Sequence, residues 1–156
     1  MSFQFIPLPA SQFSHLHGLS EDALKDQCVE IHVSDGGYPC RVSLEDVPAG
    51  NSVFLLNYEH QSAHTPYRSR HAIFVGCNAI EALTPENTIP EMVWSRLLSV
   101  RGFNASGIMM DAEVVEGADL KSEIERQFAN SEIDYLHVHF ARRGCYAARV
   151  ERVGSL

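Results

Sequence analysis

The chain has 156 residues, a length at which one domain can bury a sizeable hydrophobic core. Hydrophobic residues make up 45% and charged residues 21% of the chain, a composition that is typical of globular proteins and excludes a disordered tail. The formal net charge of -8 predicts an acidic surface, which excludes a general nucleic-acid binder because it would repel phosphate groups.

Targeting and cysteine patterns exclude further classes of protein. No apolar run approaches the ~20 residues of a membrane-spanning helix, so we expect no membrane partner. The N-terminal MSFQFIPLPASQF has no basic region and two early prolines, which is unlike a secretory signal. The four cysteines lack the CxxC spacing of a zinc knuckle. We therefore expect a cytoplasmic protein with free thiols.

The first half of the chain predicts short strands and one helix. Ser20 is a candidate N-cap for a helix over Glu21 to Gln27, because acidic residues follow it in the first turn. The polar segment from Glu59 to Arg70 has no period and predicts a long functional loop. The predicted strands are Phe3 to Leu8, Val29 to Val33, Tyr38 to Ser43, Ser52 to Tyr58 and His71 to Val75.

The second half predicts further strands and a longer helix. Leu120, Ile124 and Phe128 recur at the spacing of one apolar helix face. The predicted elements are a short helix within Ile89 to Ser95, a hairpin of Leu97 to Phe103 and Ile108 to Val115, and a helix from Asp119 to Ala129. Together these elements predict an α+β fold, a single domain over residues 1–156, with a largely antiparallel sheet and two to four short helices.

The stretch LHVHFARRGCYAARV near the C-terminus predicts a final β-hairpin. A two-residue turn would bury Arg149 among apolar side chains, whereas a three-residue loop that ends at Gly144 keeps it on the polar face. Glycine suits the left-handed conformation that ends such a loop. We therefore expect the three-residue loop, with His137, His139, Cys145 and Arg149 on one face and every apolar residue of both strands on the other.

Four blocks of the sequence resemble a known family. They are GYPCRVSLED at residues 37–46, NYEHQSAHTPYRSRHAIFV at 57–75, MMDAEVV at 109–115 and GCYAARV at 144–150. In this order they resemble the bacterial family catalogued as domain of unknown function 1203, over nearly the whole chain. The resemblance implies a stand-alone bacterial protein of about this size. It implies no activity, cofactor or site residue, so the chemistry is argued from the residues alone.

The spacing of His137 and His139 on one strand is used by many metal sites. Two histidines and one carboxylate would leave open positions, which suits iron or a catalytic zinc. The candidates for the third ligand are Asp111, Glu113, Glu59 and His60, and both acids of the strand Ile108 to Val115 would face the imidazoles if it neighboured the hairpin. The alternative is a pair of hydrogen-bonded histidines on a partly exposed sheet face. The sequence leaves the metal and any cofactor open.

Cys145 offers a different chemistry on the predicted histidine face. Arg142, Arg143 and Arg149 are close in sequence, and positive charge beside an imidazole lowers the pKa of a thiol and makes it nucleophilic. The alternative is a small packing residue at the start of a strand, as most free cysteines are.

An anion pocket is the third possibility, because ten of the twelve basic residues are arginines. The planar guanidinium group binds a carboxylate or a phosphate through two hydrogen bonds. The candidate ligand-binding residues are Arg41, Tyr67, Arg68, Arg70, His71 and Arg149. The alternative is ordinary pairing of each arginine with one of the twenty acidic residues.

These patterns favour a protein that binds a small anion, a carboxylate or a phosphate, on a sheet face lined by histidine, cysteine and arginine. His137, His139 and Cys145 are the candidate catalytic residues. A metal-dependent or thiol-based enzyme and a protein-interaction module remain as alternatives. The sequence decides neither whether the protein is an enzyme nor its oligomeric state.

Overall fold

The structure, a computed structural model, describes residues 1–154. The strands are β1 (Ser2–Ile6), β2 (Val29–Val33), β3 (Tyr38–Pro39), β4 (Asp46–Val47), β5 (Ser52–Gln61), β6 (Ser69–Gly76), β7 (Leu97–Phe103), β8 (Met109–Glu116), β9 (Tyr135–Phe140) and β10 (Tyr146–Val153). The α-helices are α1 (Glu21–Asp26), α2 (Glu91–Trp94) and α3 (Leu120–Phe128). Single turns of 3-10 helix lie at Ala10–Gln12, Ser14–Leu16 and Gly117–Asp119.

Antiparallel sheets dominate the fold, in agreement with the predicted class. The strands pair antiparallel in a five-stranded, a three-stranded and a two-stranded sheet, and the helices are few and short. The predicted polar loop is shorter than expected, because β5 continues to Gln61 and β6 begins at Ser69, which leaves residues 62–68 as the loop. None of the helices among residues 1–154 has both the length and the apolar character needed to cross a membrane.

The five-stranded sheet has the order β1-β10-β9-β7-β8 and packs one face against α3. The predicted apolar stripe of α3 is confirmed, since Leu120, Ile124 and Phe128 are all buried there. They share a hydrophobic cluster with β7 and β9 residues such as Val100 and Val138. Gln127 anchors the helix by donating a hydrogen bond from Nε2 to the Val100 carbonyl. The opposite face of this sheet is not covered by α3, so its side chains are available to form a functional site.

A second hydrophobic cluster belongs to the three-stranded sheet, which has the order β2-β5-β6. Val53, Phe54 and Ile73 are buried in it, together with Tyr146 from the five-stranded sheet. Tyr146 thus lies on the face of the five-stranded sheet opposite to α3 and joins the two sheets. The end of β5 comes to lie against the polar face of β9 and β10.

The loop of the terminal hairpin has four residues, 141–144, so the predicted three-residue loop is wrong. The Phe140 amide donates to the Cys145 carbonyl, and the Gly144 amide donates to the Phe140 carbonyl. Gly144 has the expected left-handed conformation, with a φ of 79°. Because Cys145 stands opposite Phe140, it packs against the α3-side cluster and not on the histidine face.

One irregular position then restores the predicted register. Tyr146 pairs with His139, and the register shifts between Tyr146 and Ala148. After this bulge, Arg149 pairs with His137, as the apolar pattern predicted. Tyr146 therefore lies on the histidine face, which contradicts the expectation that all apolar residues of both strands share the other face.

The carboxylates of β8 do not face the imidazoles, contrary to the expectation. Strand β7 lies between β8 and β9, so β8 is an edge strand and not a neighbour of the hairpin. Asp111 opposes Gly102 on the side of α3, where it accepts a hydrogen bond from Arg126. Val114 of the same strand is 54% exposed. Neither Asp111 nor Glu113 can therefore complete a site with the histidines.

Candidate metal centre of three histidines

Three histidines converge between the two larger sheets. His60 from β5 and His137 and His139 from β9 each offer one ligand atom, and these atoms lie within 4.8 Å of one another. The side chains are withdrawn from water, since His137 is 3% and His139 1% exposed and His60 is partly buried. We call these residues the three-histidine cluster. It has the spacing recognised in the sequence, and His60 takes the place of the expected carboxylate.

Local backbone geometry brings these side chains together. His137 and His139 share one face of β9 because side chains two apart in a strand point the same way. The pairing of β5 with β6 becomes irregular between Glu59 and Gln61, which is where His60 lies. Gln61 then donates a hydrogen bond to the Tyr135 hydroxyl at 3.0 Å and holds this end of β5 against β9.

Aromatic rings enclose the three-histidine cluster. The Tyr146 ring stacks on His60, with ring centroids 5.6 Å apart and an interplanar angle of 10°. The rings of Phe103 and Tyr135 lie 5.1 and 5.2 Å from that of His137. Such packing keeps water from the imidazoles and limits the rotation of their side chains.

Burial keeps all three imidazoles neutral. Loss of hydration lowers the pKa of His137 to about 2, that of His139 to about 3 and that of His60 to about 4. In each case the positive charge of Arg101 makes a smaller contribution to this lowering of the pKa. At neutral pH every ring therefore keeps a lone pair on one nitrogen, which is the form that binds metals.

Hydrogen bonding indicates which nitrogens are available. His139 Nδ1 lies 2.9 Å from the Gly144 carbonyl oxygen, and because a carbonyl only accepts, Nδ1 carries the proton. Its lone pair is therefore on Nε2, the arrangement that supports many metal-binding histidines. The Nδ1 atoms of His60 and His137 are buried without a hydrogen-bond partner among residues 1–154. A buried polar atom in this state costs about 1–3 kcal/mol unless something binds it.

Two arginines make the surroundings of the cluster positive. Arg101 on β7 pairs in register with His137 and forms no ion pair with a carboxylate in the described part of the chain. Arg149 lies on the same face, with its guanidinium carbon 3.9 Å from the centre of the Tyr135 ring, and pairs with Glu151. An anion is the ligand that this charge attracts.

Arg101 is the site residue that the sequence analysis missed. The one local indication in the sequence is the alternation of side chains along the strand that follows α2. Ser99, Arg101 and Phe103 point to one side of this strand, and the buried Leu98 and Val100 point to the other. That alternation identifies a polar face, but not that the face meets His137.

Most of the predicted loop residues lie outside the cluster. Arg68 donates to Glu59 at 2.6 Å, and Arg70 donates to Asn57 at 2.6 Å, both as exposed surface pairs. Tyr67 is exposed and reaches only the edge of Phe103. His71 is the member of this group that comes near, since its charge is a minor cause of the lowered pKa of His60, after burial and Arg101.

Arg41 and Cys145 lie together on the opposite side of the hairpin. Arg41 is only 1% exposed and donates from Nε to the Tyr146 carbonyl at 2.7 Å. Burial lowers its pKa, and the nearby Cys145 thiol opposes that effect. The predicted pairing of Cys145 with the histidines is therefore wrong, because the sheet separates them.

Comparison with known proteins places the chain in a family. No curated protein and no solved structure matches it. The family model described as "Protein of unknown function (DUF1203)" matches residues 37–152, which include the whole three-histidine cluster, Arg101 and the terminal hairpin. The match covers most of the chain and confirms the resemblance of the four sequence blocks, so this protein belongs to the DUF1203 family.

Proposed function

We propose that this protein is a metalloprotein whose three-histidine cluster holds a divalent transition metal, and that the metal binds a small anion at an open coordination position. The observation that carries the proposal is the convergence of three buried, neutral imidazoles within 4.8 Å. Imidazole nitrogens suit zinc, iron, copper and nickel. Three protein ligands leave one position of a tetrahedral ion open, as in catalytic zinc sites.

The dimensions of the cluster fit such an ion after a small contraction. Zinc–nitrogen bonds of ~2.1 Å at tetrahedral angles place the nitrogens about 3.4 Å apart, against the present limit of 4.8 Å. His60 can supply the movement, because it lies at an irregular strand end and is less buried than the other two. The buried Nδ1 atoms that lack a partner also favour occupation by a ligand-binding ion.

The neighbouring charges favour an anion on the metal. No carboxylate belongs to the cluster, and Arg101 and Arg149 add positive charge beside it. A divalent ion would raise this charge further, so a bound carboxylate, phosphate or hydroxide would lower the electrostatic energy. Zinc, when bound, lowers the pKa of a coordinated water to about 7 and so supplies a nucleophile at neutral pH. The proposed site would therefore suit a metal-dependent enzyme that acts on a small anionic substrate.

Metal titration with matched histidine variants tests the proposal. Metal-free protein is titrated with Zn²⁺ against a chromophoric chelator, and Co²⁺ is added separately to read the ligand geometry from its visible absorption. We expect one ion per chain, and we expect His60→Gln to weaken binding by more than roughly tenfold, the lower end of what losing a supporting residue alone costs. His64→Gln is the control, because His64 is exposed in the loop of residues 62–68. Equal affinity of wild type and His60→Gln, or no stoichiometric uptake of zinc, cobalt, iron, copper or nickel, would refute the metal site.

The anion is tested on the cobalt-loaded protein. Phosphate or acetate should shift the cobalt absorption bands, and Arg101→Gln should weaken that shift without weakening metal binding, because Arg101 is proposed to contact the anion and its positive charge repels the metal. Cobalt spectra that do not change with either anion would contradict the proposed anion binding, but not the proposed metal site. The single-domain organisation and the cytoplasmic location of the protein, both expected from the sequence, stay predictions.

A further inference from the structure

A second positively charged site lies behind the terminal hairpin, on the side away from the three-histidine cluster. It is a cavity of about 550 Å³ between the hairpin loop, β3 and the segment that joins α2 to β7. Four of the ten arginines line it: Arg41, Arg96, Arg142 and Arg143. We call it the arginine cavity. Such a concentration is unexpected in a chain with a net charge of -8.

Asp35 and Glu116 also line the cavity, but two carboxylates only partly offset four arginines, and neither forms an ion pair within residues 1–154. Arg96 pairs with Asp46 at 2.8 Å, but Arg41, Arg142 and Arg143 form no ion pair within residues 1–154. Arg41 is the most informative of them, because a fully buried guanidinium group normally has a carboxylate partner. Here its Nε and Nη1 atoms donate to the carbonyls of Tyr146 and Pro39, which are uncharged.

Aromatic rings form part of the remaining walls of the cavity. The guanidinium carbons of Arg41 and Arg96 lie 5.1 and 5.2 Å from the centre of the Phe140 ring. Tyr38 and Phe74 stack on each other at 4.4 Å and also line the cavity. Aromatic surface beside fixed polar groups is a usual feature of a small-molecule site.

We propose that the arginine cavity binds a small organic anion, an oxyanion attached to an apolar body. The arginines would hold the carboxylate or phosphate group, and the aromatic walls would pack against the body. This site would be independent of the three-histidine cluster, since the five-stranded sheet separates the two. It also retains one part of the sequence hypothesis, because Arg41 was among the candidate anion-binding residues.

Cys145 provides a reporter inside the cavity. It lines the wall and is partly exposed, whereas Cys28 is exposed and lines a different surface pocket, which none of the four arginines lines. Iodoacetate is an anion and iodoacetamide is neutral, and with both reagents the thiolate sulfur displaces iodide from the methylene carbon. A positive potential concentrates only the anionic reagent. The ratio of the two alkylation rates therefore measures the potential at each thiol.

The rates are measured for each cysteine by mass spectrometry of peptides from the native protein. We expect the iodoacetate to iodoacetamide ratio at Cys145 to exceed that at Cys28 by roughly fivefold or more. The double variant Arg142→Gln with Arg143→Gln should lower this ratio towards that of Cys28, and both positions are exposed, so the fold is retained. Arg68→Gln with Arg70→Gln removes the same charge elsewhere and should change nothing. Equal ratios at the two cysteines, or no effect of the first double variant, would overturn the proposal.

Protection experiments identify the oxyanion. Benzoate and phenyl phosphate are added before iodoacetamide, with benzyl alcohol as the uncharged control of similar shape. Slower alkylation of Cys145 with benzoate alone identifies a carboxylate site, and with phenyl phosphate alone a phosphate site; protection by both leaves a general oxyanion site. Protection by neither, or equal protection by benzyl alcohol, contradicts anion binding in the cavity.

Discussion

Burial determines what His60, His137 and His139 can do, because an imidazole that is withdrawn from water binds a proton weakly. With pKa values of about 4, 2 and 3, none of them exchanges a proton readily near pH 7. A general acid or base works best when its pKa lies near the working pH. The environment therefore suits metal ligands better than general acids or bases.

The structure also predicts which tautomer His139 adopts. Its Nδ1 faces the Gly144 carbonyl at 2.9 Å, so we expect the proton on Nδ1 and the lone pair on Nε2 in metal-free protein at neutral pH. Long-range proton–nitrogen NMR spectra distinguish the two nitrogens by their chemical shifts. The exposed His64 provides the comparison with a histidine outside the three-histidine cluster. A proton on Nε2 of His139 would contradict the assignment of Nε2 as the metal-binding atom.

At the scale of elements, the hairpin shows how far the pattern of apolar residues could predict the site. Alternation placed His137 and His139 on one face of a strand, and it placed Arg149 beside them. The loop is one residue longer than predicted, which turns Cys145 to the other face, and the bulge after Tyr146 shifts the strand back by one residue. The two deviations cancel from Ala148 onwards, so Arg149 pairs with His137 as predicted. The length of the loop and the presence of a bulge can vary independently. The apolar pattern predicts only the strand register that results from both.

Contacts between distant elements could not be predicted from the sequence. The insertion of β7 between β9 and β8 removed Asp111 and Glu113 from the site and placed Arg101 beside His137. His60 reaches the cluster from another sheet, through the irregular end of β5. Local patterns define which residues share a face, but strand order is set by packing of the whole chain.

Gly144 carries a prediction for the hairpin element. Its φ of 79° lies in the left-handed region, and a Cβ added there would meet nothing within 4 Å, so strain alone should decide the effect of substitution. Gly144→Ala should therefore destabilise the protein by about 1–2 kcal/mol in urea unfolding. Gly144→Asn should cost less, because asparagine tolerates this conformation. Equal losses in the two variants would show that crowding, and not backbone strain, is the cause.

At the scale of the whole molecule, the terminal hairpin lies between two hydrophobic clusters and separates two positive sites. Phe140 packs in the cluster on the side of α3, and Tyr146 packs in the cluster of the three-stranded sheet. The three-histidine cluster takes ligands from both larger sheets, so a bound metal would tie them together and stabilise the folded state through its binding free energy. The chain has a net negative charge, which repels anions from most of its surface. Anions are therefore attracted mainly to the regions that arginines line.

The burial of the three histidines determines how the stability of the folded protein depends on pH. The pKa values of the three histidines in the folded state lie below the value of 6.5 for a free imidazole. Below pH 6.5 the histidines therefore bind protons in the unfolded chain but not in the folded chain. The free energy of unfolding consequently decreases as the pH falls below 6.5. His137 and His139, which are almost fully buried, should together contribute a loss that approaches about 3 kcal/mol per pH unit near pH 5.

Urea unfolding of the metal-free protein at pH 7, 6 and 5 measures this loss. His60 is partly exposed and adds a smaller share, so His60→Gln should flatten the dependence slightly. The exposed His64 has no partner in the cluster, and His64→Gln should leave the dependence unchanged. Saturating zinc should raise stability at each of these pH values, because imidazoles with pKa values of about 2 to 4 remain neutral in the folded protein at pH 5 and can still bind the metal. Stability that is constant from pH 7 to 5 would show that the imidazoles are accessible to protons in the folded protein, and it would weaken the case for a buried metal centre.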